Sequence, residues 1–185
     1  MTIFDRLNAQ RPWTEEECLV LDQVTRVAED LIAPAAAVYD KSGDYPETSM
    51  AALNELGMNS IFVPEAYGGA LMSYRLYLEC VSIISAACAS TGIIYATNFH
   101  GMKPLIDLGT EEQKTRLLPR ISEGGLGSLA ITEPSAGSDA TGMKTRFTPD
   151  GDEIIIDGSK TFISNGDRAE LILLFGKWSD IEDPR

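Results

Sequence analysis

Two stretches decide how this chain reads: Leu129–Asp139, LAITEPSAGSD, and Asp157–Gly166, DGSKTFISNG. In the first, the apolar run Leu129-Ala130-Ile131 reads as a short strand. It enters Thr132-Glu133-Pro134 and then the small-residue loop Ser135-Ala136-Gly137-Ser138. Such a loop offers backbone N–H groups and hydroxyls that can cradle an anion such as a pyrophosphate. By itself it also reads as an ordinary turn, because Gly and Ser are common loop residues. In the second stretch, Thr161–Ser164 reads as a further strand closed by Asn165-Gly166. Between the two, Arg146–Thr148 and Glu153–Asp157 flank Pro149-Asp150-Gly151-Asp152, a β-hairpin signature. Leu171–Phe175 adds another strand, and three or more such strands imply a sheet or barrel.

Upstream the texture is helical. Thr14 with Glu17 three positions later signals a capping box, and Val20, Val24, Val27, Ala28 and Leu31 follow at helical spacing. Pro34 permits at most a kinked continuation. A second helix is expected from Pro46 to Gly57, with Met50, Leu53 and Leu56 inward. Ile61-Phe62-Val63 forms a short buried run closed by Pro64 and Gly68-Gly69. Tyr74, Tyr77, Leu78, Val81, Ile84 and Cys88 make the next stripe, and Ser90–Leu108 is apolar almost all round, as a central buried helix is. Thr110 with Gln113 opens a last helix carrying Leu117, Leu118 and Ile121 and ending at Gly124 or Gly125. The expected fold is therefore α+β: an all-α domain over 1–124, then an incomplete β-sheet or barrel domain over 125–185. The polar run Ser179–Arg185 after so few strands leaves open sheet edges, so the chain is expected to be part of a longer protein.

Composition narrows the function. With 28 acidic against 15 basic residues in 185, the net charge of -13 opposes nucleic-acid binding, which needs clustered Lys and Arg. No apolar run approaches the roughly 20 residues that cross a bilayer, and Met1 to Trp13 holds no secretory h-region. Cys18, Cys80 and Cys88 form no CxxC pair; they read as buried thiols in a reducing compartment. His100 is the one histidine, so no metal cluster or Ser-His-Asp triad can be built on several imidazoles. Lys103 and Lys160 have no evident reactive setting.

Taken together in order, the two stretches closely resemble the flavin-binding middle domain of the acyl-CoA dehydrogenase family. Further matches lie at family-like spacing: Tyr39-Asp40, Leu56-Gly57 followed by Val63–Gly69 (VPEAYGG), Ala89-Ser90-Thr91-Gly92, and Leu108–Lys114 (LGTEEQK). The resemblance implies an N-terminal helical domain and part of the β domain, with the family's C-terminal helical domain beyond Arg185. It implies FAD as cofactor and oxidation of an acyl-CoA thioester to the 2,3-enoyl-CoA. It also implies electron-transferring flavoprotein as acceptor and a homo-oligomer, tetramer or dimer. The compartment it implies is the cytoplasm of a bacterial-type cell, or the mitochondrial matrix if a transit peptide is absent from this sequence.

By the same resemblance, the backbone of Leu129, Ala130 and Ile131 runs along the flavin ring and Thr132 donates near its pyrimidine side. Ser138 contacts the pyrophosphate or lies where CoA enters. Phe162 packs on the ring, Ile163 accompanies it, and Ser164 lies near N5. Tyr95, Asn98 and Phe99 are candidates for the acyl side, with plain core packing as the competing reading. Phe162 stands where the family often has Trp, Ser164 where it often has Thr, Ser135 where Gly is common and Cys88 where an acidic residue is frequent. No catalytic residue is assigned, because the family's glutamate base lies beyond Arg185; Glu65 and Glu133 belong to loops. Two alternatives stay open: a flavin-dependent oxidase or monooxygenase of the same architecture, and a truncated, non-catalytic binding or assembly partner.

Overall fold

The computed structural model describes residues 11–181; the first ten residues and the last four of the polar run lie outside the described residues. The chain forms two compact units, 1–95 and 96–185, and the division falls inside one long helix.

In the first unit, α1 (Glu15–Val27) starts at the anticipated capping box. Glu17 N–H donates to the Thr14 hydroxyl and Thr14 N–H to the Glu17 carboxylate, each at 3.1 Å. The other Glu17 oxygen accepts from Ser73 Oγ at 2.9 Å, tying this cap to the start of a distant helix. The Thr14 N–H, helped by Ser73 and opposed by burial, holds the Glu17 carboxyl below the usual range. After Val27 the helix widens into a π segment, Ala28–Ile32, before α2 (Ala33–Ser42). Pro34 supplies no N–H and crowds the carbonyl four residues back, so a wider turn is the local way to continue. Val24, Ala28 and Ile32 face the core.

Helix α3 (Glu47–Glu55) buries Met50 and Leu53, and Ile61, Phe62 and Val63 follow as a buried run. Helix α4 (Tyr74–Ala87) packs against α1 and buries Leu76, Tyr77, Cys80 and Ile84. Its stripe is rotated from the one expected: Tyr74 and Leu78 are exposed. Both sides of this helix carry apolar residues, so spacing alone does not select the inner one. Burial pushes the Cys80 thiol up to about 12, as befits an inert core group. Cys18 corrects the expectation of three buried thiols: it lies exposed on α1.

Helix α5 (Ala89–Leu108) crosses from one unit to the other. It is not buried all round, since Ile93 and Leu108 are exposed. In the second unit its later half lies backbone-to-backbone on β1 (Leu126–Ala130). A Cβ on Gly101 would sit 2.5 Å from Ser128 N, and one on Gly127 would sit 2.7 Å from the Asn98 carbonyl. Glycine at both positions is what allows that approach. Helix α6 (Glu111–Ser122) opens with the second capping box, Thr110 with Gln113, and buries Leu118 and Ile121.

The strands form two small sheets. β1 pairs in parallel with β4 (Ala169–Leu174). β2 (Arg146–Asp150) and β3 (Glu153–Asp157) form the anticipated hairpin around Gly151-Asp152, and β5 (Lys177–Trp178) adds in parallel to β2. Thr161–Ser164 corrects the sequence reading, because it is an irregular segment and not a strand. Phe162 and Asn165 take φ of 56° and 63°, in the left-handed region, which breaks any ladder there. Thr, Phe and Ile favour strands, so composition alone pointed the other way.

Candidate functional site

The two motif segments lie side by side in the second unit. Residues 160–165 run back along β1 in the opposite direction, held at both ends. At one end Thr161 N–H donates to the Thr132 carbonyl at 3.0 Å and Lys160 Nζ to the Ile131 carbonyl at 2.8 Å. At the other end the Ser128 hydroxyl donates to the Ser164 carbonyl at 2.7 Å, and Asn165 Nδ2 to the Gly127 carbonyl at 3.2 Å. Gly127 N–H donates in turn to Asn98 Oδ1, so two carboxamides bracket this residue.

Between these ties the ring of Phe162 is 92% exposed, and its φ lies in the left-handed region. A bulky residue there costs about 1–3 kcal/mol and persists only where its surroundings fix it. The structure thus holds an aromatic face out to solvent against local preference. Leu129, Ile131, Thr132, Ile163 and Ser164 are half-buried around it, and Ala130 is buried.

The loop after Thr132 is compact. Glu133 and Ala136 exchange both backbone hydrogen bonds, at 2.9 and 3.1 Å, around Pro134-Ser135. Gly137 and Ser138 follow, exposed, and a Cβ on Gly137 would meet no heavy atom within 4 Å. Asp139 closes the loop by accepting from Thr141 Oγ1 at 2.6 Å and Gly142 N at 3.2 Å; the Thr141 hydroxyl is the main reason its carboxyl is lowered.

Beneath this surface sits a group that the sequence did not reveal. The Glu133 side chain is 3% exposed and the Lys160 side chain 10%. One Glu133 oxygen accepts from Lys160 Nζ at 2.8 Å, Thr145 N at 2.9 Å and Thr145 Oγ1 at 2.5 Å; the other accepts from Lys144 N at 2.6 Å. Burial alone would raise this carboxyl. The Lys160 ammonium, the Thr145 hydroxyl and the two N–H groups outweigh it and hold the pKa at about 2. The available signal was that Glu133 and Lys160 each stand inside one of the two motifs, but 27 residues apart no spacing rule pairs them.

The acyl-side candidates separate. Tyr95 is a core residue of the first unit, its hydroxyl donating to the Met58 carbonyl at 3.4 Å and its ring 5.7 Å from that of Tyr77. Burial raises its phenol well above the ordinary value. Asn98 is buried in the second unit with Oδ1 committed to Gly127 and Nδ2 without a hydrogen-bond partner. Phe99 is half-buried, its ring 6.1 Å from His100. Among the described residues no group of His, Cys, Asp and Glu side chains is placed to hold a metal ion. No helix among them is long and apolar enough to cross a membrane.

Residues 14–125 match the acyl-CoA dehydrogenase N-terminal domain and residues 128–184 the middle domain of the same family. The chain belongs to the acyl-CoA dehydrogenase family. A probable acyl-CoA dehydrogenase of Bacillus subtilis, YngJ, is 40% identical over 163 residues, 87% of this chain and 43% of that protein. The solved structure of butyryl-CoA dehydrogenase from Megasphaera elsdenii superposes with a TM-score of 0.82 at 29% identity, covering 88% of this chain and 44% of that one. A prolyl acyl carrier protein oxidase, AnaB, gives 0.76 at 28% identity, covering 88% and 44%. The chain therefore spans less than half the length of the relatives it matches.

Proposed function

We propose that this chain is the N-terminal helical part, 1–124, and the first part of the middle domain, 125–185, of an FAD-dependent acyl-CoA dehydrogenase. The observation that carries the reading is Phe162, an exposed ring on left-handed backbone, pinned beside Ile131-Thr132 at one end and Gly127-Ser128 at the other. That arrangement fits a flat conjugated ring: an aromatic face, an apolar strand edge, and hydroxyls at Thr132 and Ser164. When bound, FAD accepts the two electrons removed from the acyl chain.

The chain's own residues do the rest. Thr132 and Ser164 supply hydroxyl donors to the ring, aimed where negative charge grows on reduction. Phe162 covers one face and keeps water from it. Ser138, on the exposed loop, meets the pyrophosphate or the entering CoA. Of Tyr95, Asn98 and Phe99 on the acyl side, Phe99 is the least buried. The base that takes the α proton lies beyond Arg185, so residues 1–185 alone are inactive: a proton transfer needs its base within hydrogen-bond reach. Electron-transferring flavoprotein is the acceptor, and the whole protein is a homo-oligomer, tetramer or dimer, of a bacterial-type cytoplasm or of the mitochondrial matrix. The likeness to AnaB favours a second reading, an oxidase of the same architecture.

The test is anaerobic titration of the full-length protein with a series of acyl-CoA thioesters. Bleaching of bound flavin supports the dehydrogenase. Rapid re-oxidation of the reduced flavin by oxygen supports the oxidase. Substrate-dependent bleaching by residues 1–185 alone would place a base within this chain and overturn the assignment beyond Arg185.

A further inference from the structure

Lys160 and Thr161 hold two consecutive carbonyls, those of Ile131 and Thr132, at 2.8 and 3.0 Å. In a trans peptide the N–H opposes the C=O. Fixing the Ile131 carbonyl on Lys160 therefore aims the Thr132 N–H to the opposite side. Fixing the Thr132 carbonyl on Thr161 turns the Glu133 N–H away, toward Ala136. A lysine is a flexible point charge and positions nothing unless its head is held. Here the head is held by Glu133, which also gathers Lys144 and Thr145 at the entry to β2. One carboxylate thus registers three segments of the second unit. A buried ion pair contributes little net stability compared with apolar packing of the same volume; what this one contributes is geometry.

We propose that Lys160, held by Glu133, is a positioning residue: it sets the Ile131–Thr132 peptide so that Thr132 presents its N–H and hydroxyl to the bound flavin. Through Thr132 it tunes how tightly the oxidised and reduced forms are held. This rests on the FAD reading above.

The experiment uses the full-length holoprotein and the double variant Lys160→Met with Glu133→Gln, which removes both charges at similar volume. The expected result is a melting temperature near that of the parent and FAD binding at least tenfold weaker. A tenfold change in the preference between the two redox forms moves the flavin potential by ~30 mV. Parental FAD affinity and potential in the double variant would overturn the proposal, because a pair with only a structural role moves neither. If the double variant does not fold, Lys160→Arg decides: it keeps the charge and displaces the donor, so a shifted potential supports positioning and an unshifted one refutes it. A parent protein that binds no FAD defeats the function reading and this proposal with it. A parent that binds FAD, with unchanged variants, defeats the positioning role alone.

Discussion

Neutralising Glu133 gives the most quantitative test of the buried pair. Its carboxyl lies at about 2 when folded, against an ordinary value of 4.5. A tenfold change in an ionisation constant corresponds to ~1.4 kcal/mol, so the gap between the two values represents about 3 kcal/mol, lost when Glu133 alone is neutralised and Lys160 keeps its buried charge. The folded pKa is depressed, so this contribution is fully present above about pH 4.5 and is lost as pH falls through about 2. Glu17 and Asp139 are also lowered, so the parent's acid profile alone cannot isolate one group. The difference between parent and Glu133→Gln does isolate it. Denaturant midpoints measured from pH 6 to pH 2 should show the parent losing stability more steeply than the variant, with the gap narrowing by about 3 kcal/mol. Resolving the Glu133 carboxyl by NMR gives its titration directly. Parallel profiles, or a carboxyl titrating near 4.5, would show that the pair does not hold this charge as described.

Gly101→Ala drives a Cβ to 2.5 Å from the Ser128 backbone nitrogen, so it should destabilise the second unit by about 1–3 kcal/mol in chemical denaturation. Gly137→Ala, with open space at that position, should stay within about 0.5 kcal/mol. Phe162→Gly removes a left-handed strain of ~1–3 kcal/mol and little buried surface, so the melting temperature should hold or rise while FAD retention in the full-length protein falls. Tyr95→Ala should cost about 3–5 kcal/mol as a cavity in the first unit. In the full-length enzyme an unchanged preference among acyl-chain lengths removes Tyr95 from the acyl side.

What was legible in the sequence was local. Both capping boxes follow from a hydroxyl and a carboxylate or carboxamide three residues apart, and both form as read. The hairpin follows from Pro149-Asp150-Gly151-Asp152, and the long helix from its apolar run. What was not legible depends on partners far along the chain. The inner face of α4 is chosen by α1 and by Phe62, whose ring meets Tyr77 at 5.2 Å edge-on. Thr161–Ser164 carries strand-forming residues, yet ties from Lys160, Ser128 and Asn165 replace the ladder and permit the left-handed backbone. Lys160 looked inert because its partners, Glu133 and the Ile131 carbonyl, are brought to it only by the fold. The site segments were found by their resemblance, taken in order, to the family's flavin-binding domain, and their contacts only by the structure.

If the segments around Thr132 and Phe162–Ser164 form one wall of an FAD site, flavin binding must depend on their hydroxyls. The decisive measurement is FAD affinity in the full-length protein, followed by quenching of flavin fluorescence in the parent, Thr132→Ala and Ser164→Ala. Stoichiometric binding is expected in the parent, with a loss of about 0.5–1.5 kcal/mol in each variant, or roughly two- to tenfold in dissociation constant. No binding in the parent, or equal binding in all three, would contradict the assignment of this wall to the flavin.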